Sequence, residues 1–254
     1  MSFPPNKISV PLSRLIPSII TIMALCLGIT SIRYSLDSKF NIAAGLISIA
    51  ALLDGIDGRI ARLLNSTTKF GAQLDSLADL CSFGVAPSIA VYLWSLKDIP
   101  LQGVGWGVVL IYIACSALRL ARFNVENFIE HKKETDTHFF IGIPMPVGAG
   151  LLMLPLMCSF ELLSEVQIVT LYWFIAFYTV IIGLLMISTI PVYSGKNISV
   201  PKDKVNIVLI SLGIIFTGAI FETWIVLPAI GIVYIIITPI YSIVLYKKLT
   251  CKTV

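Results

Sequence analysis

The stretch NIAAGLISIAALLDGIDGRIAR, Asn41–Arg62, decides how this chain folds. From Asn41 to Leu53 it carries no charge, and then it closes on Asp54-Gly55-Ile56-Asp57-Gly58-Arg59. Roughly 20 mainly apolar residues are enough for one helical crossing of a bilayer, so the stretch reads as a spanning helix whose carboxylates emerge at one membrane surface. After eight further residues the sequence continues Gly71-Ala72-Gln73-Leu74-Asp75-Ser76-Leu77-Ala78-Asp79. On a helix, Asp54, Asp57, Gly58 and Ala61 stand at i, i+3, i+4 and i+7 and share a face, and Gly71, Asp75 and Asp79 share a face of the next helix. The spacing predicts two pairs of carboxylates confronting each other across a helix pair.

The rest of the chain has the same character. Of its 254 residues 57% are apolar and 13% charged, and the mean hydropathy is +0.94. An ordinary globular composition is excluded. Eight apolar stretches begin near Leu15, Asn41, Leu74, Val104, Val147, Gln167, Val205 and Thr223, which predicts an all-α polytopic membrane protein of about eight helices in one bundle, a single domain over residues 1–254. The first stretch contains Pro17, lacks a small-residue cleavage pattern and reads as a retained helix. The five cysteines show no C-x-x-C pairing, and no internal repeat of the kind common in secondary transporters is visible.

Lys and Arg concentrate in cytoplasmic loops. With eight spans, 15 of the 18 basic residues fall on one side, leaving only Arg33, Lys39 and Lys97 on the other. That alternation predicts both termini, and the carboxylate-bearing helix ends, at the cytoplasmic face, with a bacterial plasma membrane favoured by the compact chain. Arg119 and Arg122 lie at the same end of the fourth helix. His131 and His138 read as surface histidines, Lys69 and Ser194-Gly195-Lys196 as loop groups near lipid headgroups. Tyr92, Trp94, Trp106, Trp173 and Trp224 read as interfacial anchors.

An unpaired aspartate at mid-bilayer costs on the order of 3 kcal/mol, and four of them close together repel strongly where the dielectric is low. Oxygen-only ligands suit hard cations, so Mg²⁺ or Mn²⁺ is the expected compensation, as two ions. A two-ion carboxylate site at a membrane surface suits displacement at phosphorus, the ions stabilising a pyrophosphate leaving group while one carboxylate takes the nucleophile's proton. The bland reading, a solvated helix end, fits poorly with acidic residues recurring at helical spacing among glycines. A divalent-cation transporter is a further reading, opposed by the clustering of acidic groups at one leaflet.

At these residues the sequence resembles the CDP-alcohol phosphotransferase family, whose signature D-x-x-D-G-x-x-A-R-x8-G-x3-D-x3-D is met at every fixed position from Asp54 to Asp79. The resemblance implies that Asp54, Asp57, Asp75 and Asp79 are metal ligands, with Asp75 and Asp79 catalytic and Asp79 the general base. It implies that Gly58, Ala61 and Gly71 let a cytidine nucleotide lie close, and that Arg62 sits on its phosphate side. Ser82-Phe83-Gly84-Val85-Ala86-Pro87, Arg119-Leu120-Ala121-Arg122-Phe123-Asn124 and Phe140-Ile141-Gly142-Ile143-Pro144-Met145-Pro146 narrow the likeness to the membrane-embedded phosphatidylserine synthases within that family. The implied substrates are CDP-diacylglycerol and L-serine, the products phosphatidylserine and CMP, and the implied assembly a homodimer among membrane lipids, with no nucleic acid. A zwitterionic acceptor needs a cation for its carboxylate, and Arg119 or Arg122 beside Asn124 could supply it; both arginines could equally be topology anchors. Glycerol-3-phosphate or an inositol phosphate are the alternative acceptors.

Overall fold

The computed structural model describes residues 15–64, 68–130, 140–161, 171–188, 191–192 and 205–250. Its helices are α1 (Ile16–Leu36), α2 (Phe40–Leu63), α3 (Lys69–Asp79), α4 (Ala86–Trp94), α5 (Val104–Glu130), α6 (Met145–Leu152), α7 (Leu154–Glu161), α8 (Tyr172–Ile187), α9 (Val205–Phe221) and α10 (Thr223–Thr250). Among the described residues, four stretches are long and apolar enough to cross a bilayer, Ile16–Leu36, Phe40–Leu63, Phe70–Trp94 and Val104–Val125, and Tyr172–Ile187 and Thr223–Thr238 are shorter apolar helices. The chain is an all-α polytopic membrane protein. The expected fifth span is two short helices meeting at Met153, and the expected sixth start, Gln167, lies outside the described residues.

Between α1 and α2, packing runs opposite to that of a water-soluble bundle. The buried face of α1 is Pro17, Thr21, Ala24, Gly28, Ser31 and Ser35, and α2 buries Ala43, Ala44, Ile47, Ala50 and Asp57. Meanwhile Ile19, Ile22 and Met23 are about half exposed. Lipid tails are as apolar as leucine, so large side chains gain nothing by turning inward, and small ones let helix backbones approach and gain dispersion contact. Gly28 marks a close approach: a Cβ there would stand 2.7 Å from the Ser82 Cα. Many hydroxyls inside the bundle bond back to carbonyls one turn earlier, as Ser35 does to Ser31 O at 2.9 Å, which satisfies their donors in the apolar medium.

The third span is broken in pitch but unbroken in direction. A π-helical turn, Leu80–Val85, joins α3 to α4 just before Pro87. Proline cannot donate to the carbonyl four residues back and its ring crowds that oxygen. The carbonyl concerned is that of Phe83, and it accepts instead from the Tyr112 hydroxyl of α5 at 3.3 Å. On the other flank Ser82 Oγ donates to Ala24 O of α1 at 3.3 Å. The wide turn therefore fixes α1 and α5 on either side of α3.

Phe140–Ile141 (β1) and Pro191–Val192 (β2) form a two-residue antiparallel pair, an addition to the expected all-helical fold. It is followed by Gly142 at φ +77°, where a Cβ would meet Met186 O at 2.7 Å. Only glycine fits that left-handed position against the end of α8. Trp94, expected at the lipid interface, is instead 5% exposed in the core, whereas Trp106 and Trp173 are about half exposed, as anchors would be. His131, His138 and Ser194-Gly195-Lys196 lie outside the described residues, as does the side chain of Lys69.

Candidate active site

Chain direction gathers the polar residues at one end of the bundle. The N-terminal end of α1, the C-terminal turns of α2, the first turns of α3 and the C-terminal part of α5 lie together because successive spans alternate in direction. Thr68 starts α3: its Oγ1 accepts from Gly71 N at 2.9 Å, satisfying one of the helix's free N-terminal donors. That cap sets the start of α3 ahead of the expected Leu74, and it phases Asp75 and Asp79 toward α2.

Asp54, Asp57 and Asp75 each offer a carboxylate oxygen, and the three oxygens lie within 4.8 Å of one another. Asp57 is buried, at 3% exposure, and Asp54 and Asp75 are half-buried. Asp79 comes to hydrogen-bonding range of Asp54, so the fourth carboxylate joins the cluster through α2. Three acidic oxygens converging in a half-buried pocket are stable only with protons or cations among them. The donor set is all oxygen, which fits a hard divalent cation.

The remaining expected site residues divide. Gly58 is exposed, and a Cβ on it would meet nothing within 4 Å, so the α2 surface beside the cluster is open. Ala61 is half-buried on the same helix. Arg62 is exposed and its Nε donates to Gly58 O at 3.1 Å, laying the side chain back along α2. Gly71 serves the cap, since a Cβ there would stand 3.1 Å from Thr68 Oγ1.

The two arginines of α5 differ sharply. Arg122 Nη1 donates to Ile187 O at 2.6 Å and Nη2 to Ser188 O at 3.4 Å, filling carbonyls left free where α8 ends. Arg119 is 9% exposed, lies within electrostatic range of Asp79, and its Nε has no hydrogen-bond partner among the described residues. Asn124 Oδ1 accepts from Ser76 Oγ at 3.1 Å, linking α5 to the residue after Asp75.

Two residues near the site went unnoticed in the sequence. Thr21 of α1 donates to Asp57 Oδ2 at 2.7 Å. Tyr234 of α10 lies within electrostatic range of Arg119 with its hydroxyl oxygen buried and unpartnered among the described residues. A threonine on an apolar helix and a tyrosine far along the chain carry no local spacing signal, and tertiary packing alone brings them in.

A membrane-embedded helical bundle in which the carboxylates of Asp54, Asp57 and Asp75 converge beside an open α2 surface at Gly58 is suited to holding a charged group at the membrane. The chain belongs to the CDP-alcohol phosphatidyltransferase family, whose model matches residues 14–186. It is similar to the CDP-diacylglycerol–serine O-phosphatidyltransferase of Mycobacterium bovis, 35% identical over 225 residues, covering 87% of this chain and 76% of that one. The enzyme of the same name from Helicobacter pylori is 36% identical over 207 residues, covering 82% and 81%. That from Methanocaldococcus jannaschii is 31% identical over 203 residues, covering 80% and 83%.

Proposed function

We propose that the protein transfers the phosphatidyl group of CDP-diacylglycerol to the hydroxyl of L-serine, giving phosphatidylserine and CMP. The single observation that carries the chemistry is the convergence of the Asp54, Asp57 and Asp75 oxygens within 4.8 Å beside Asp79. The names of the relatives at 31–37% identity support serine as the acceptor.

In this reading Asp54, Asp57, Asp75 and Asp79 hold one or two Mg²⁺ or Mn²⁺ ions. Bound there, such ions would neutralise the pyrophosphate and the departing phosphate. The open α2 surface at Gly58 and Ala61 takes the cytidine nucleotide, with Arg62 at its phosphate side and Gly71 bordering the same strip, while the acyl chains stay in lipid. Asp79 accepts the serine hydroxyl proton. The serine oxygen then forms a bond to the phosphorus bearing diacylglycerol, the bond from that phosphorus to the CMP oxygen breaks, and CMP leaves. Arg119, buried beside Asp79 and with a donor to spare, binds the serine carboxylate. Asn124 borders that position through Ser76. The positive-inside pattern of the loops supports an active site opening to the cytoplasm, and family likeness supports a homodimer.

The test is release of CMP by the purified protein with CDP-diacylglycerol and Mn²⁺, comparing serine, glycerol-3-phosphate and inositol phosphate. Serine is expected to support release at least a hundredfold faster than either phosphorylated acceptor, because a site built for one polar group discriminates strongly against others. Equal or greater release with a phosphorylated acceptor overturns the assignment of serine.

A further inference from the structure

The first helix brings no carboxylate to the site, yet it touches the most buried one. Thr21 is 6% exposed and Asp57 3% exposed, so water does not compete for their 2.7 Å hydrogen bond. The threonine hydroxyl has one proton and two oxygens within reach, since Pro17 O lies 3.0 Å away. A bond back to the preceding turn is commonplace for a helical threonine. A bond to an ionised carboxylate is roughly twice as strong as a neutral one, and the contact to Asp57 is the shorter of the two, 2.7 Å against 3.0 Å. The terminal torsion of an aspartate is broad, so an anchored oxygen is what fixes the plane of the Asp57 carboxylate against Asp54 and Asp75.

The mount of that hydroxyl is rigid. Ser82 Oγ of the π-helical turn bonds Ala24 O, one turn further along α1, at 3.3 Å. Gly28, another turn on, lets the two backbones meet. Thr21 therefore cannot retreat without moving α1 off the turn that directly follows Asp79. Groups that orient a cation's ligands from behind typically change its affinity by 10–100-fold.

We infer that Thr21 is a positioning residue for a divalent-cation site, orienting Asp57 through its hydroxyl and so setting cation affinity without touching either substrate. The inference rests on the carboxylate cluster holding a divalent cation, as proposed above. Its test uses the full-length protein in lipid nanodiscs, wild type beside Thr21→Val, which keeps the shape and removes the donor, and Thr21→Ser, which keeps the donor. Mn²⁺ binding is read directly by electron paramagnetic resonance of the free ion, alongside the Mn²⁺ concentration that gives half-maximal CMP release. Thr21→Val is expected to weaken Mn²⁺ binding at least tenfold and to raise the half-activating concentration by the same factor. The kcat at saturating Mn²⁺ and the KM for serine stay within about twofold of wild type, and Thr21→Ser restores the affinity. Thr21→Val binding Mn²⁺ as wild type does, or failing to fold, makes Thr21 merely structural and overturns the inference. A wild type that itself binds no Mn²⁺ overturns the cation reading on which the inference rests.

Discussion

Replacing Asp79 by asparagine is expected to lower CMP release by about a thousandfold at saturating Mn²⁺ and serine. Asparagine matches aspartate in size and still reaches Asp54, to which its amide can donate, so the side-chain link from α3 to α2 survives. What it cannot do is take the proton from an attacking hydroxyl, and positioned proton transfer contributes roughly 10²–10⁴-fold. Measuring at saturating metal separates that loss from any weaker hold on cations. The check is single-turnover CMP release in detergent or nanodiscs, with the melting temperature measured in parallel. A variant that retains more than a tenth of wild-type turnover removes Asp79 as the base and leaves it a ligand at most.

The second large effect falls on Arg119. Changing it to glutamine is expected to raise the KM for serine about a hundredfold, because a buried charge-assisted contact to the carboxylate is replaced by, at best, a bond from a neutral amide. Preference for serine over ethanolamine, which lacks the carboxylate, collapses in the same variant. Arg122→Gln behaves differently: its guanidinium bonds Ile187 O and Ser188 O at the end of α8, so its loss lowers the melting temperature and leaves the KM for serine near wild type. Steady-state kinetics with both acceptors, on both variants, reads the contrast. An unchanged serine preference in Arg119→Gln contradicts the role given to that residue.

Much of this was legible in the sequence because helical spacing is a local property. Asp54 and Asp57 share a face by virtue of three residues' separation, and the apolar run from Asn41 to Leu53 fixes the element that carries them. The convergence of Asp75 with that pair followed once α3 was placed antiparallel to α2. The sequence could not tell Arg119 from Arg122, which stand three apart on one helix. They part company because α8 happens to end against the second. Thr21 and Tyr234 were invisible for the same reason, each reaching the site from an element whose own residues hold no trace of it. Trp94 misled because an aromatic near a helix end reads as an interfacial anchor until packing around it is known. The pitch change at Leu80–Val85 could have been anticipated from Pro87, whose missing donor required some adjustment in the preceding turn.

Diffraction from crystals grown with Mn²⁺, collected at the manganese absorption edge, bears most directly on the carboxylate cluster. An anomalous peak is expected in contact with carboxylate oxygens of Asp54, Asp57 and Asp75, at about 2.1 Å, the distance characteristic of small hard divalent ions. Manganese bound elsewhere in the protein with no density among these three side chains would contradict the account.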